Sequence, residues 1–72
     1  MADNILRSIG GQYIAEALKT LPDAETSKED IQETIVELPV FGRVRFTCQR
    51  MTAKQGKNPA RFWTAIEAVE VE

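Results

Sequence analysis

Apolar side chains at Ile5, Leu6, Ile9, Tyr13, Ile14, Ala17, Leu18 and Leu21 recur in steps of three and four, the period of an amphipathic helix. The pattern predicts a helix over about residues 4–21, opened by Asp3 or Asn4, whose side chains can accept hydrogen bonds from the first free backbone N–H groups. Gly10 and Gly11 interrupt it, each costing about 1 kcal/mol relative to alanine in a helix interior. Either the helix begins near Gly11, or the glycines admit a neighbouring backbone. Pro22-Asp23 marks a stop.

The polar, acidic stretch DAETSKED makes residues 22–30 a surface linker. Ser27 with Asp30 resembles a helix start, since a serine hydroxyl caps and an acid favours the first turn. Two periods compete beyond it. Ile31, Ile35 and Leu38 stand at helical spacing, whereas Thr34, Val36, Leu38 and Val40 alternate as in a strand. The β-branched cluster at Thr34 to Val36 favours a strand over about 33–40, after one helical turn. The helical alternative would make residues 27–38 part of a reduced winged-helix domain.

A second strand, about 43–52, follows from the alternation of Val44, Phe46 and Cys48 with Arg43, Arg45, Thr47 and Gln49. A loop of Phe41-Gly42-Arg43 would set Val40 opposite Val44, Leu38 opposite Phe46 and Val36 opposite Cys48, with Glu37 diagonal to Arg45. Such agreement is informative because a one-residue slip inverts every side chain. The third strand, about 61–71, places Phe62, Thr64, Ile66 and Ala68 on one face, then Val69 and Val71 on the other. That break in phase signals a bulge, or a strand whose ends bury opposite faces. The expected fold is therefore α+β: one small domain, residues 1–72, with an N-terminal helix packed on a three-stranded antiparallel β-meander. The helix covers the face of Val36, Leu38, Phe46 and Phe62.

Length sharpens this picture. A chain of 72 residues buries only about 60% of its unfolded surface, so its stability is marginal. Cys48 is the only cysteine and there is no histidine, which removes an intramolecular disulfide and the usual zinc spacings. Self-association is then the remaining source of extra stability. The N-terminus has no basic leader ahead of a long apolar run, and no apolar stretch is long enough to span a bilayer. The expectation is a soluble cytoplasmic protein with no membrane contact, and the lone cysteine suits a reducing compartment.

Catalysis has little to draw on. Without histidine the common proton shuttle at neutral pH is missing, and Cys48 falls on the apolar face of its strand, where a thiol is inert. Glu29, Asp30, Glu33 and Glu37 read as a solvated acidic face rather than a metal site. Gly10-Gly11 lacks the spacing of a phosphate-binding loop. No enzyme, no metal and no cofactor is expected.

Charge supplies the functional signal. The net charge is −2, yet residues 42–61 carry six basic side chains and no acid. Arg43, Arg45, Arg50, Lys54, Lys57 and Arg61, with Trp63 as an exposed aromatic beside them, form the candidate nucleic-acid-binding set. The reading favoured for Trp63 itself is a half-buried core residue or a dimer contact rather than a platform for bases. Guanidinium groups and an aromatic surface on a sheet suit phosphate pairing and base stacking on DNA or RNA, and a basic hairpin can enter a duplex groove. Two other readings compete. Basic residues also guard edge strands, and a protein-interaction module, as a homodimer or with another protein partner, could use Trp63, Val69 and Val71 as an apolar strip on the last strand.

VELPVFGRVRF followed by QRMTAKQGKNPA resembles the sheet and arm of the bacterial histone-like HU and integration-host-factor family. The matching positions are Leu38, Pro39, Phe41, Gly42, Arg50, Gly56, Lys57, Asn58 and Pro59. By that resemblance Pro59 is a wedge for the minor groove and Lys54 and Lys57 contact the backbone. Val40 stands where the family's turn has its first glycine, and the stretch from that turn to Asn58-Pro59 is two residues longer.

Overall fold

The computed structural model describes residues 4–71. A 3-10 turn, Leu6–Ser8, leads into helix α1 (Gly11–Leu18), followed by strands β1 (Ile31–Leu38), β2 (Gly42–Gln55) and β3 (Asn58–Glu70). The strands form one antiparallel sheet in the order β1-β2-β3, the expected α+β meander behind an N-terminal helix.

The glycine pair divides the helical stretch. Gly10 is extended (φ −62°, ψ 145°) and the helix starts at Gly11, the first of the two outcomes the glycines allowed. Asn4 Oδ1 accepts the Leu6 N–H at 3.0 Å just ahead of the 3-10 turn, whose N-cap is Ile5, and does not cap α1; Asp3 lies outside the described residues. The helix ends at Leu18, ahead of Pro22, and Thr20 Oγ1 donates to the Ala17 carbonyl at 2.7 Å. Residues 22–30 contain neither helix nor strand. Ser27 Oγ instead accepts the Glu29 N–H at 3.2 Å, a local bond that competes with helix formation. The helical turn expected there is absent, and a strand occupies Ile31–Leu38.

Val44, Phe46 and Cys48 of β2 are fully buried, and Leu38 beside them is 8% exposed. Ile9, Ala17 and Ala24 close over this face, with Tyr13, Ile14, Leu18 and Leu21 packed around them. The inward face of β1 and β2 is the one the alternation predicted. The register is not. Leu38 pairs with Gly42, Val36 with Val44 and Thr34 with Phe46, four residues away from the expected pairing. The loop is Pro39-Val40-Phe41, and Gly42 closes it at φ +75°, a left-handed conformation that glycine adopts without a Cβ penalty. An even shift keeps every side chain on its face, so the inward face matches the alternation although the register differs.

On β3 the phase break is a bulge. Thr47 pairs with Glu67 but Cys48 with Ala65, so Ile66 is the extra residue. Behind it Trp63 turns inward at 9% exposure, while Phe62 faces out at 44%. Phe62 therefore does not belong to the covered face; Trp63 takes its place.

β2 and β3 outrun β1. The β1–β2 pairing ends at Ile31 with Gln49, whereas β2–β3 pairing continues to Gln55 with Asn58. The residues past Arg50 form a two-stranded ribbon projecting about 17 Å, at about 3.3 Å per residue, along a molecule whose longest extent is 42 Å. Gly56-Lys57 makes its two-residue turn, with Gly56 at φ +65°, the requirement of a type II′ hairpin.

Candidate nucleic-acid interface

The basic residues of 42–61 fall into three environments. Arg43 and Arg45 lie on the outer face of β2, near its start. Arg43 is exposed and stands opposite Glu37. Arg45 is half-buried, and its Nε lies 3.4 Å from Glu33 Oε2. The shifted register sets Arg45 opposite Ile35 with Glu33 and Glu37 at its two diagonal positions, and the acid that meets it is Glu33. A pair this exposed is worth about 0–1 kcal/mol.

Arg50 points the other way. Its side chain is 13% exposed, and its guanidinium is held from several directions. Nε donates to Asp30 Oδ1 at 3.0 Å, NH1 to the Ala24 carbonyl at 3.3 Å and to the Ser27 carbonyl, and NH2 to Asp30 Oδ1. Every strong bond of this side chain is used to fasten residues 24–30 to the sheet. Trp63, its cross-strand neighbour, does the same work: Nε1–H donates to the Pro22 carbonyl at 2.7 Å. Neither side chain is available as a surface contact. The acidic stretch is accordingly a fastened strap and not a loose linker.

Lys54, Lys57 and Arg61 are all exposed on the ribbon. Lys54 is opposite Pro59 and Arg61 opposite Thr52, so the two cations are diagonal neighbours on one ribbon face, about 7–8 Å apart at their Cα atoms. Lys57 occupies the turn. None of the three forms an ion pair among the described residues. A carboxylate does reach the ribbon's base, where Glu25 Oε1 accepts the Arg61 backbone N–H at 2.8 Å. The opposite ribbon face is apolar, carrying Met51 opposite Phe62 and Ala53 opposite Ala60, with Met51 and Phe62 42% and 44% exposed.

The seven candidate residues therefore do not form one surface. Arg43 and Lys54 are eleven positions apart on β2, or about 36 Å at about 3.3 Å per residue, and they face opposite sides. The ribbon unites Lys54, Lys57 and Arg61 with exposed Pro59, and its other face carries Phe62 as an exposed aromatic. The strand alternation puts Phe62 on the covered face, and only the bulge at Ile66 turns it outward.

Cys48 is fully buried, and burial pushes its thiol pKa up, which disfavours the reactive thiolate. A thiol reagent should label it only as fast as the chain opens, and mild denaturant should accelerate labelling to the rate of a free thiol. Labelling of the native protein at that free rate would contradict its burial. The folded state holds this proton more tightly than the unfolded chain does. Its contribution to stability is complete below the ordinary thiol range and is lost as pH rises through the raised folded value.

No helix among the described residues is long and apolar enough to cross a membrane. Among known proteins, no family, no curated protein and no solved structure matches this chain.

Proposed function

We propose that this protein is a non-enzymatic, cytoplasmic nucleic-acid-binding protein that grips its target with the ribbon of residues 51–62. The observation that carries this reading is the ribbon itself: a projecting two-stranded arm on which Lys54, Lys57 and Arg61 are exposed and form no ion pair among the described residues. Residues 51–61 contain no acid, although the whole chain is net negative. The negative remainder is repelled by a polyanion, so the encounter is oriented with the ribbon leading. A two-stranded ribbon has the width that a duplex major groove admits, and the exposed Phe62 and Pro59 add apolar contact at its flank. The absence of histidine and the burial of the only thiol support a binding role over catalysis.

Titrating duplex and single-stranded oligonucleotides over a range of salt tests this directly. Three phosphate contacts give a slope of log affinity against log salt of about −2.7 on duplex and about −2.1 on a single strand. The duplex is expected to bind more tightly, because the ribbon is preformed for a groove. Absence of binding at low salt, or affinity indifferent to salt, would refute the proposal.

A further inference from the structure

The two edges of the sheet are treated differently. On β3, Asn4 Oδ1 accepts the Ala68 N–H at 3.0 Å and Asn4 Nδ2 donates to the Ile66 carbonyl at 3.4 Å. The Ile5 N–H bonds to the Ala68 carbonyl at 2.7 Å, and Glu25 takes the Arg61 N–H. The bulge at Ile66 and the presence of Pro59 further spoil that edge for pairing.

β1 has none of these guards. It runs eight residues, IQETIVEL, with no proline, no lysine and an unbroken register. The Arg50 N–H donates to the Asp30 carbonyl at 2.8 Å, which fixes the phase of the ladder. In an antiparallel pair, hydrogen-bonded positions alternate with non-bonded ones. Gln32, Thr34, Val36 and Leu38 therefore turn their backbone groups toward β2, and Ile31, Glu33, Ile35 and Glu37 turn theirs outward. Those outward groups have no hydrogen-bond partner among the described residues. Beside them Ile31 and Ile35 are 47% and 55% exposed on the uncovered face.

We infer that β1 pairs antiparallel with β1 of a second copy about a two-fold axis, joining the two sheets into one of six strands. A second copy is favoured by the sequence of the edge itself. The fully overlapped register sets Ile31 opposite Glu37 and Glu33 opposite Ile35 of the other copy. It uses all four outward N–H and C=O pairs of each strand and puts no two carboxylates directly opposite, an arrangement that would be destabilising. The isoleucines of both strands become diagonal neighbours, and so do the glutamates, Glu33 with Glu33 and Glu37 of the other copy. Glu33, the acid nearest the axis, already has Arg45 as its counter-ion at 3.4 Å. The interface is isologous, so it closes at two copies. The ribbons then leave from opposite ends of the joined sheet, and the inference is independent of what they bind.

Sedimentation equilibrium of the full chain should give twice its 8.1 kDa mass. Amide exchange should be slow at Glu33, Ile35 and Glu37 under these conditions and fast after dilution below the dissociation constant. Ile35→Pro deletes one outward N–H while leaving the bonds to β2 in place, and should sediment as a monomer with the parent's circular dichroism. Thr34→Pro, which strikes the ladder to β2, should unfold. Should Ile35→Pro itself fail to fold, Ile35→Lys decides, since a lysine at the edge keeps the backbone intact and blocks pairing. A parent that stays monomeric up to ~1 mM, where association is worth only about 4 kcal/mol, would overturn the inference, as would an open-ended assembly or a dimeric, folded Ile35→Lys variant. A foreign strand that pairs with a strictly monomeric parent would overturn it too.

Discussion

Trp63→Ala leaves the protein unfolded, or close to it, at room temperature. Removing a buried tryptophan costs about 3–5 kcal/mol, and the Pro22 carbonyl that accepted the indole N–H at 2.7 Å loses its partner. Stabilities of about 0.05–0.15 kcal/mol per residue give a 72-residue chain about 4–11 kcal/mol in total. The small core of so short a chain places it toward the lower end, where a loss of this size removes most or all of it. The damage does not stop at the sheet. Trp63 and Arg50 together hold residues 22–30 against it, and that strap carries Ala24, which is 6% exposed, into the core. Trp63→Phe keeps most of the apolar body and forfeits the hydrogen bond, so it should cost about 1–3 kcal/mol. Urea unfolding followed by circular dichroism measures both. A Trp63→Ala protein with the parent's midpoint would show that the tryptophan is not a core residue.

Reversing Lys54, Lys57 and Arg61 to glutamate together abolishes nucleic-acid binding while leaving the fold in place. The three side chains are exposed and form no ion pair among the described residues, and surface changes of this kind usually move stability by no more than about 0.5 kcal/mol each. Binding is another matter, since the favourable term comes from counterions released by just these cations. Neutralising them with glutamine should flatten the salt dependence; reversing them should make the ribbon repel the target. Arg43→Glu, at the far end of β2 and on the other face, should reduce affinity less than any one of the three. Arg50→Glu should fail for a different reason, because it places a second carboxylate beside Asp30 in a half-buried site and undoes the strap. Circular dichroism with an affinity titration separates the two kinds of loss. Undiminished binding by the folded triple variant would exclude the ribbon as the site.

These predictions differ from a reading of the basic residues as one group, and the reason lies in how far each fate could be read locally. The alternation in Val36, Leu38, Val44, Phe46 and Cys48 exposes its own answer, since parity fixes the inward face whatever the even shift of register. The register itself depends on which residue closes the turn. Hydrophobic matching scores Leu38 with Phe46 as well as it scores Val36 with Val44, and only the left-handed Gly42 decides between them. The break in phase before Val69 announced a bulge but not its position, and a bulge at Ile66 exchanges Phe62 and Trp63. Arg50 was out of reach for a further reason: its partner, Asp30, is twenty residues away, and nothing in the local pattern distinguishes an arginine that will be fastened from one that will be free. The ribbon's cations are the opposite case. Their flanks, Thr52, Gln55, Gly56 and Asn58, offer no acid in reach along the strands, so their exposure could be anticipated from the run alone.

The most direct test follows backbone amide shifts while the chain is titrated with a short duplex at low salt. The account predicts that the shifts concentrate on residues 51–62, strongest at Lys54, Gly56, Lys57 and Arg61, and collapse as salt is raised. Shifts centred instead on α1 or on the outer face around Arg43 and Arg45, with the ribbon silent, would contradict it.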